Sequence, residues 1–276
     1  MRLVKKIGLF FAIALVTVCV GLIGYRVRRP RRFNYSAAAL SDADYVRLAS
    51  KPGWQPRSID VGGGVVLRGL EKPAAGKNQP WLLLFEGNSG KLLDDGQRLL
   101  SALLKGRKWG GAIYAYRGFD ASGGTPSPEA LADDGCRALI ELMKEHQLSS
   151  DRVHLVAFSL GTTIVAAIAA RTREHPPATL TLLAPATELD AVRGPIRHRY
   201  ETLKYLGAIE SPTLIVHGRL DETLPVEGGR RIAAELGPRA TYFEHPDLGH
   251  NDLHESQAVI DEVCAFVERH VKEAID

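Results

Sequence analysis

The spacing of apolar residues changes character along the chain. Ile7 to Tyr25 is an apolar run of 19 residues without a charge, and Arg26 to Gln55 after it shows no sustained period. Ser58 to Val61 and Val65 to Leu70 then alternate apolar and polar positions on either side of Gly62-Gly63-Gly64, which predicts an antiparallel hairpin at a sheet edge. Further on, short solid apolar runs recur at Trp81 to Phe85, Ile113 to Tyr116, Val153 to Ala157, Leu180 to Leu183, Thr213 to Val216 and Ala240 to Phe243. These are too short for helices and have the composition of strands buried on both faces. Helical periodicity fills the gaps: Leu92 to Lys105, Pro128 to Gln147, Leu160 to Arg173, Val226 to Leu236, and about Glu255 to Ala274. Alternation of this kind predicts an α/β domain, a mainly parallel sheet with helices on both faces, over residues 58–276.

The N-terminal run is flanked by Arg2, Lys5 and Lys6 before it and by Arg26, Arg28, Arg29, Arg31 and Arg32 after it. As a helix it would measure about 28 Å, close to the hydrocarbon thickness of a bilayer. The expectation is a single-pass cell-membrane anchor over 1–25 and a juxtamembrane linker over 26–57, the latter holding Pro30, Ala37 to Ala39 and Pro52. A cleaved secretory signal is the alternative, although Cys19-Val20-Gly21 is a poor small-x-small site and Val18 is bulky for a lipoprotein signal. The side on which the domain lies stays open. Five basic residues after the span favour the cytoplasm, whereas a signal-anchor reading puts the domain outside.

Composition narrows the function classes. The net charge is +3, and the arginines clustered between Arg26 and Arg32 leave the rest of the chain near neutral, which argues against nucleic acid as a partner. The three cysteines, Cys19, Cys136 and Cys264, have no paired spacing, so neither a disulfide framework nor a zinc site is expected.

The chemistry is carried by the ends of the expected strands. Val153 to Phe158 runs into Ser159-Leu160-Gly161 and then directly into a helix. A serine on so tight a turn needs small neighbours two positions away, and Ala157 and Gly161 supply them. The turn would lift the Ser159 hydroxyl above the sheet at a helix N-terminus, where amides and dipole favour a developing oxyanion. A simple helix-cap serine would not need both small residues. A hydroxyl becomes a good nucleophile only when a histidine takes its proton and a carboxylate orients that histidine. Asp221 and Glu222 follow the strand at Thr213 to Val216, and Asp221 is favoured as the acid because it follows the turn directly. His250, beside Gly249, follows the last strand and is favoured as the base over His217, His245 and His254. His250 to His254 lacks the glutamate of a zinc-protease helix, so no metal is expected. Glu86-Gly87-Asn88-Ser89-Gly90-Lys91 follows the strand at Trp81 to Phe85. Its Asn88 amide is the candidate second oxyanion donor beside that of Leu160. A phosphate loop is rejected there, since Phe85 stands at the first glycine position and Leu92 where Ser or Thr would bind magnesium.

Together these residues, with Tyr116-Arg117-Gly118-Phe119, Ser122, Gly124, Thr125 and Pro126, resemble the membrane-anchored α/β hydrolases, a serine hydrolase group that is esterase-like or aminopeptidase-like. The resemblance implies the α/β-hydrolase fold, hydrolysis of a carboxylic ester or thioester by a Ser159-Asp221-His250 triad, and no cofactor. The partner would be a small acyl ester or a peptide-like substrate. Arg117 would bind a substrate carboxylate or phosphate, or form a structural ion pair. Glu86 would bind the amino terminus of an aminopeptidase substrate. A non-catalytic membrane-tethered binding protein on the same fold is the alternative from another class. The chain departs from the family pattern at Glu86, usually histidine, at Asp120, usually glycine, and between Leu183 and Thr213, where a shortened insertion implies a small lid.

Overall fold

The structure, a computed structural model, describes residues 31–35, 40–193 and 195–273. The expected span Ile7 to Tyr25 lies outside these residues. Among the described residues no helix is long and apolar enough to cross a membrane.

The core is an eight-stranded sheet. Strands β2 (Gln55–Asp60) and β3 (Val66–Lys72) pair antiparallel at one edge, and Gly62, Gly63 and Gly64 between them all adopt positive φ, a conformation open to glycine at little cost. Strands β4 (Trp81–Phe85), β5 (Gly110–Tyr114), β6 (Val153–Phe158), β7 (Thr179–Leu183), β10 (Thr213–Gly218) and β11 (Ala240–His245) run parallel in the spatial order β11-β10-β7-β6-β4-β5. Every residue of β4, β5, β6, β7 and β10 is buried, which is why their sequences read as solid apolar runs. The helices are α2 (Leu92–Leu103), α3 (Pro128–His146), α4 (Leu160–Arg171), α5 (Val226–Leu236) and α6 (Gln257–Glu273). Helix α2 packs with α6, and α3 packs with α4. Helix α4 buries ten consecutive residues from Leu160 to Ala169, as its nearly all-apolar sequence requires.

The winding reverses between β4 and β6. The chain steps from β4 to β5 on one side, then crosses back to lay β6 on the other side of β4. Carboxyl ends of strands at such a switch point frame a crevice where ligands bind. The turn after β4 and the turn after β6 carry Glu86 and Ser159.

Two parts of the chain are more structured than their sequences suggest. Helix α1 (Asp42–Ala49) starts on a Ser41 cap within the expected linker, and its Leu48 is fully buried. The Leu48 carbonyl accepts from Gln97 Nε2 at 2.9 Å, which ties α1 to α2. The expected lid region holds strands β8 (Glu188–Arg193) and β9 (Ile196–Glu201), which pair antiparallel and form a separate sheet with β1 (Arg31–Asn34) in the order β1-β8-β9. Tyr35 follows β1, and its hydroxyl lies 2.8 Å from Tyr200 Oη and 2.9 Å from His198 Nδ1.

Candidate active site

Strand β6 turns into α4 through one residue. Ser159 has φ 49° and ψ −115°, a conformation that costs free energy for a residue with a side chain. Its N–H donates to the Leu183 carbonyl at 3.0 Å, which holds the turn against β7. A Cβ at position 161 would sit 2.0 Å from the Phe85 carbonyl oxygen, so the turn closes only over glycine there. The Leu160 N–H opens α4 and is among the amides that have no acceptor within the helix.

His250 Nε2 lies 3.1 Å from Ser159 Oγ, and His250 Nδ1 lies 2.7 Å from Asp221 Oδ2. Asp221 Oδ1 accepts the backbone N–H groups of Thr223 at 2.8 Å and Leu224 at 2.7 Å. Of the two carboxylates after β10, Asp221 is thus the one brought to His250, while Glu222 is exposed. Gly218 permits this meeting, since a Cβ there would sit 2.2 Å from the Leu248 carbonyl oxygen in the His250 loop. Gly249, beside His250, is held by its backbone. Its φ is not positive, and its N–H donates to Asp252 Oδ2 at 2.7 Å.

His217 has a place that sequence reasoning missed. It is fully buried, with Nε2 at 3.2 Å from Asp221 Oδ2 and 3.1 Å from the Leu224 carbonyl oxygen. Both neighbours are acceptors, so Nε2 carries the proton, and Nδ1 has no partner. Burial alone would raise the Asp221 pKa, but the hydrogen bonds from His217 and His250 outweigh it and hold the carboxyl well below the usual range. Asp221 is therefore an anion whenever the protein is folded near neutral pH. The sequence signal for His217 was its place at the carboxyl end of β10, four residues before Asp221.

The turn after β4 lies against the serine. A Cβ on Gly87 would be 3.0 Å from the Phe158 ring and 3.3 Å from Ser159 Cβ. The Asn88 side-chain amide donates to the Asn34 carbonyl at 2.8 Å, which ties this turn to β1. Glu86 does not have the substrate-binding placement expected of it. It is buried, its carboxylate accepts the Gly87 N–H at 2.9 Å, and His254 Nε2 lies 3.1 Å from it. The same contact assigns His254, a rival for the base, to Glu86.

Arg117 is likewise committed elsewhere than to a substrate. Its Nε donates to Asp134 Oδ2 at 2.6 Å and its second edge donates to Asp134 Oδ1, in a pair whose acid is 5% exposed. Replacing Arg117 with methionine would strand a buried carboxylate, with an expected loss of about 3 kcal/mol in urea unfolding and an unchanged KM. A raised KM with unchanged stability would restore the substrate role. Asp120 keeps the left-handed φ that a glycine adopts freely, 43°, and accepts the Leu93 N–H at 2.8 Å near the start of α2. Burial pushes its carboxyl up to about 6. Among the described residues one set of possible metal ligands converges, Glu71, Glu145 and His146, but Arg57 already pairs with both carboxylates and supplies the positive charge.

The arrangement can deliver a proton from a serine hydroxyl to a histidine whose far nitrogen is held by an ionised acid. No protein-family model matches the chain. An uncharacterized protein of Mycobacterium tuberculosis is 26% identical over 266 residues, which cover 91% of each chain. Lysophosphatidylserine lipase ABHD12 of Macaca fascicularis is 25% identical over 226 residues, 65% of this chain and 56% of that protein. Among solved structures, the alpha/beta hydrolase GrgF from Penicillium superposes with a TM-score of 0.67 at 16% identity, covering 79% of this chain and 99% of that one. Relatives and neighbours of this kind support a hydrolase. The fold is that of the α/β hydrolases, as the solved structures show, and the name of the lipase relative supports a place for the chain in that superfamily.

Proposed function

We propose that this chain is a serine hydrolase that cleaves a carboxylic ester or thioester through an acyl-enzyme on Ser159. The observation that carries the reading is the hydrogen-bonded relay Ser159–His250–Asp221, 3.1 and 2.7 Å at its two links, on a strained serine turn at the mouth of the sheet. Ser159 Oγ attacks the acyl carbon as His250 Nε2 takes its proton, and Asp221 stabilises the imidazolium that forms. The amides of Leu160 and Asn88 receive the oxyanion. The tetrahedral adduct then expels the alcohol or thiol, which takes the proton from His250, and water repeats the sequence to release the acid.

The amidase or aminopeptidase reading is weaker, because Glu86, its candidate ligand for a substrate amino group, is paired with His254. A non-catalytic binding role would give no reason for Ser159 to hold a costly φ. The lipase name of one relative adds support for an ester, and the length and flanking charge of Ile7 to Tyr25 support a tether to the cell membrane.

A fluorophosphonate probe tests the reading. Wild-type protein is expected to label once, on the peptide containing Ser159, and to turn over p-nitrophenyl esters. Absence of labelling, or an adduct elsewhere, would remove the basis for a serine mechanism. Comparing acetate with octanoate then ranks the acyl length, and the small lid favours the shorter ester.

A further inference from the structure

A second buried contact between charged groups adjoins the relay. Glu86 and His254 stand 168 positions apart in the chain and meet at 3.1 and 3.3 Å between His254 Nε2 and the two carboxylate oxygens. Glu86 is 1% exposed and the His254 side chain 18%. The Glu86 carboxylate also accepts the Gly87 N–H, and the Tyr116 hydroxyl donates to the Glu86 carbonyl at 2.6 Å, so side chain and backbone are both fixed. Gly87 in turn abuts Ser159. The Phe158 ring fills the space between the two histidines, with its centroid 4.1 Å from the His254 ring and 4.9 Å from the His250 ring.

A carboxylate so buried calls for a cation. His254 lies against the carboxylate through Nε2 and, protonated, is the cation that balances it. Burial alone would lower the His254 pKa, yet Glu86 outweighs it and the net shift is upward. Asp95 on α2 adds a smaller push in the same direction. Of the other ionisable groups nearby, the Tyr116 hydroxyl is engaged by Glu86, His250 lies across the Phe158 ring, and the Asp252 carboxylate is turned to the Gly249 N–H.

We propose that Glu86 and His254 form a positioning pair that clamps the Gly87–Asn88 turn against Ser159, so that the pair sets how well the oxyanion amide of this turn meets the reacting carbonyl. The proposal rests on the reading of Ser159 as nucleophile. It gives the enzyme a pH dependence distinct from that of its base. His254 is charged below its raised pKa, so the clamp is complete at lower pH and weakens as pH rises through that value, which adds an alkaline decline to kcat.

The test is steady-state hydrolysis of p-nitrophenyl acetate from pH 5 to 9 by the full chain in detergent, as wild type, Glu86→Gln, His254→Gln and the double variant. Each single change is expected to lower kcat about tenfold with KM within about twofold, as a displaced oxyanion donor would. The alkaline decline should vanish in both, and the double variant should be no worse than the weaker single, because the two residues act as one unit. Folded variants with wild-type kcat and pH profile overturn the proposal, even if their melting temperature falls. Where a variant does not fold, the His254 ring is followed by NMR in the wild type. Titration above free histidine supports the pair, and titration below it overturns it. Wild type that resists the fluorophosphonate probe overturns the nucleophile reading itself, an outcome separate from failure of the clamp alone.

Discussion

Ser159→Ala should reduce kcat toward any ester by about 10⁵-fold or more while leaving the unfolding midpoint within a degree or two. The two expectations come from different atoms. Oγ is the nucleophile of the proposed mechanism and the hydrogen-bond partner of His250 Nε2 at 3.1 Å, and alanine removes it outright. The backbone of the turn is held by the Ser159 N–H to Leu183 and by the close fit of Gly161 under Phe85, and alanine keeps both. The left-handed φ costs alanine about as much as serine. Residual turnover would come from the oxyanion amides and substrate binding, which survive the change. Measured with a chromogenic ester beside a thermal melt, a loss smaller than about tenfold would mean that another group attacks the substrate.

Asp221→Asn should lower kcat by about 10⁴-fold, and Glu222→Gln should change it by less than about twofold. Every lone pair at Asp221 is in use. Oδ1 faces the N–H groups of Thr223 and Leu224, and Oδ2 faces His250 Nδ1 and His217 Nε2. An asparagine must turn its NH2 toward one of these donor pairs. Turned toward Oδ1 it loses two backbone bonds. Turned toward Oδ2 it moves the His250 proton onto Nε2, where the ring can no longer accept from Ser159. Either way a donor is left facing donors, at a stability cost of about 2 kcal/mol. The pH dependence checks the same point. The folded Asp221 pKa lies below its unfolded value of about 4. Its stabilisation is therefore present above about pH 4 and lost as the pH falls through the folded value. Urea midpoints measured down the acid range should fall less steeply for the asparagine variant than for wild type. A full loss of activity in Glu222→Gln would reassign the acid.

What the sequence made legible and what it hid follow from how each part is stabilised. Strands buried on both faces must be apolar throughout, so β4, β6, β7 and β10 showed themselves within a residue or two. The serine turn was legible because its crowding constrains Ala157 and Gly161, residues close in sequence. The chain order expected of an acid and a base pointed to Asp221 and His250, which the structure brings to 2.7 Å of each other, but the choice between Asp221 and Glu222 needed their environments. Glu86 and His254 were beyond reach. Each looked like a loop residue with a possible role of its own, and their pairing brings the turn after β4 against the short helical turn Asn251–His254 across 168 positions. Helix α1 was hidden because it is short and buries chiefly Leu48, which leaves no period to detect.

The strands of the small sheet escaped notice because their sequences are charged, and that charge has a consequence for solubility. In the order β1-β8-β9 the inner strand β8 is flanked on both sides, while β1 and β9 are the outer strands among the described residues. Arg32 and Arg197 are exposed on these edge strands, and Arg199 on β9 pairs with Glu188 on β8. Cationic side chains along an open edge make it a poor template for another β-strand. The residues that blur the apolar pattern here are the ones that discourage two copies from joining edge to edge.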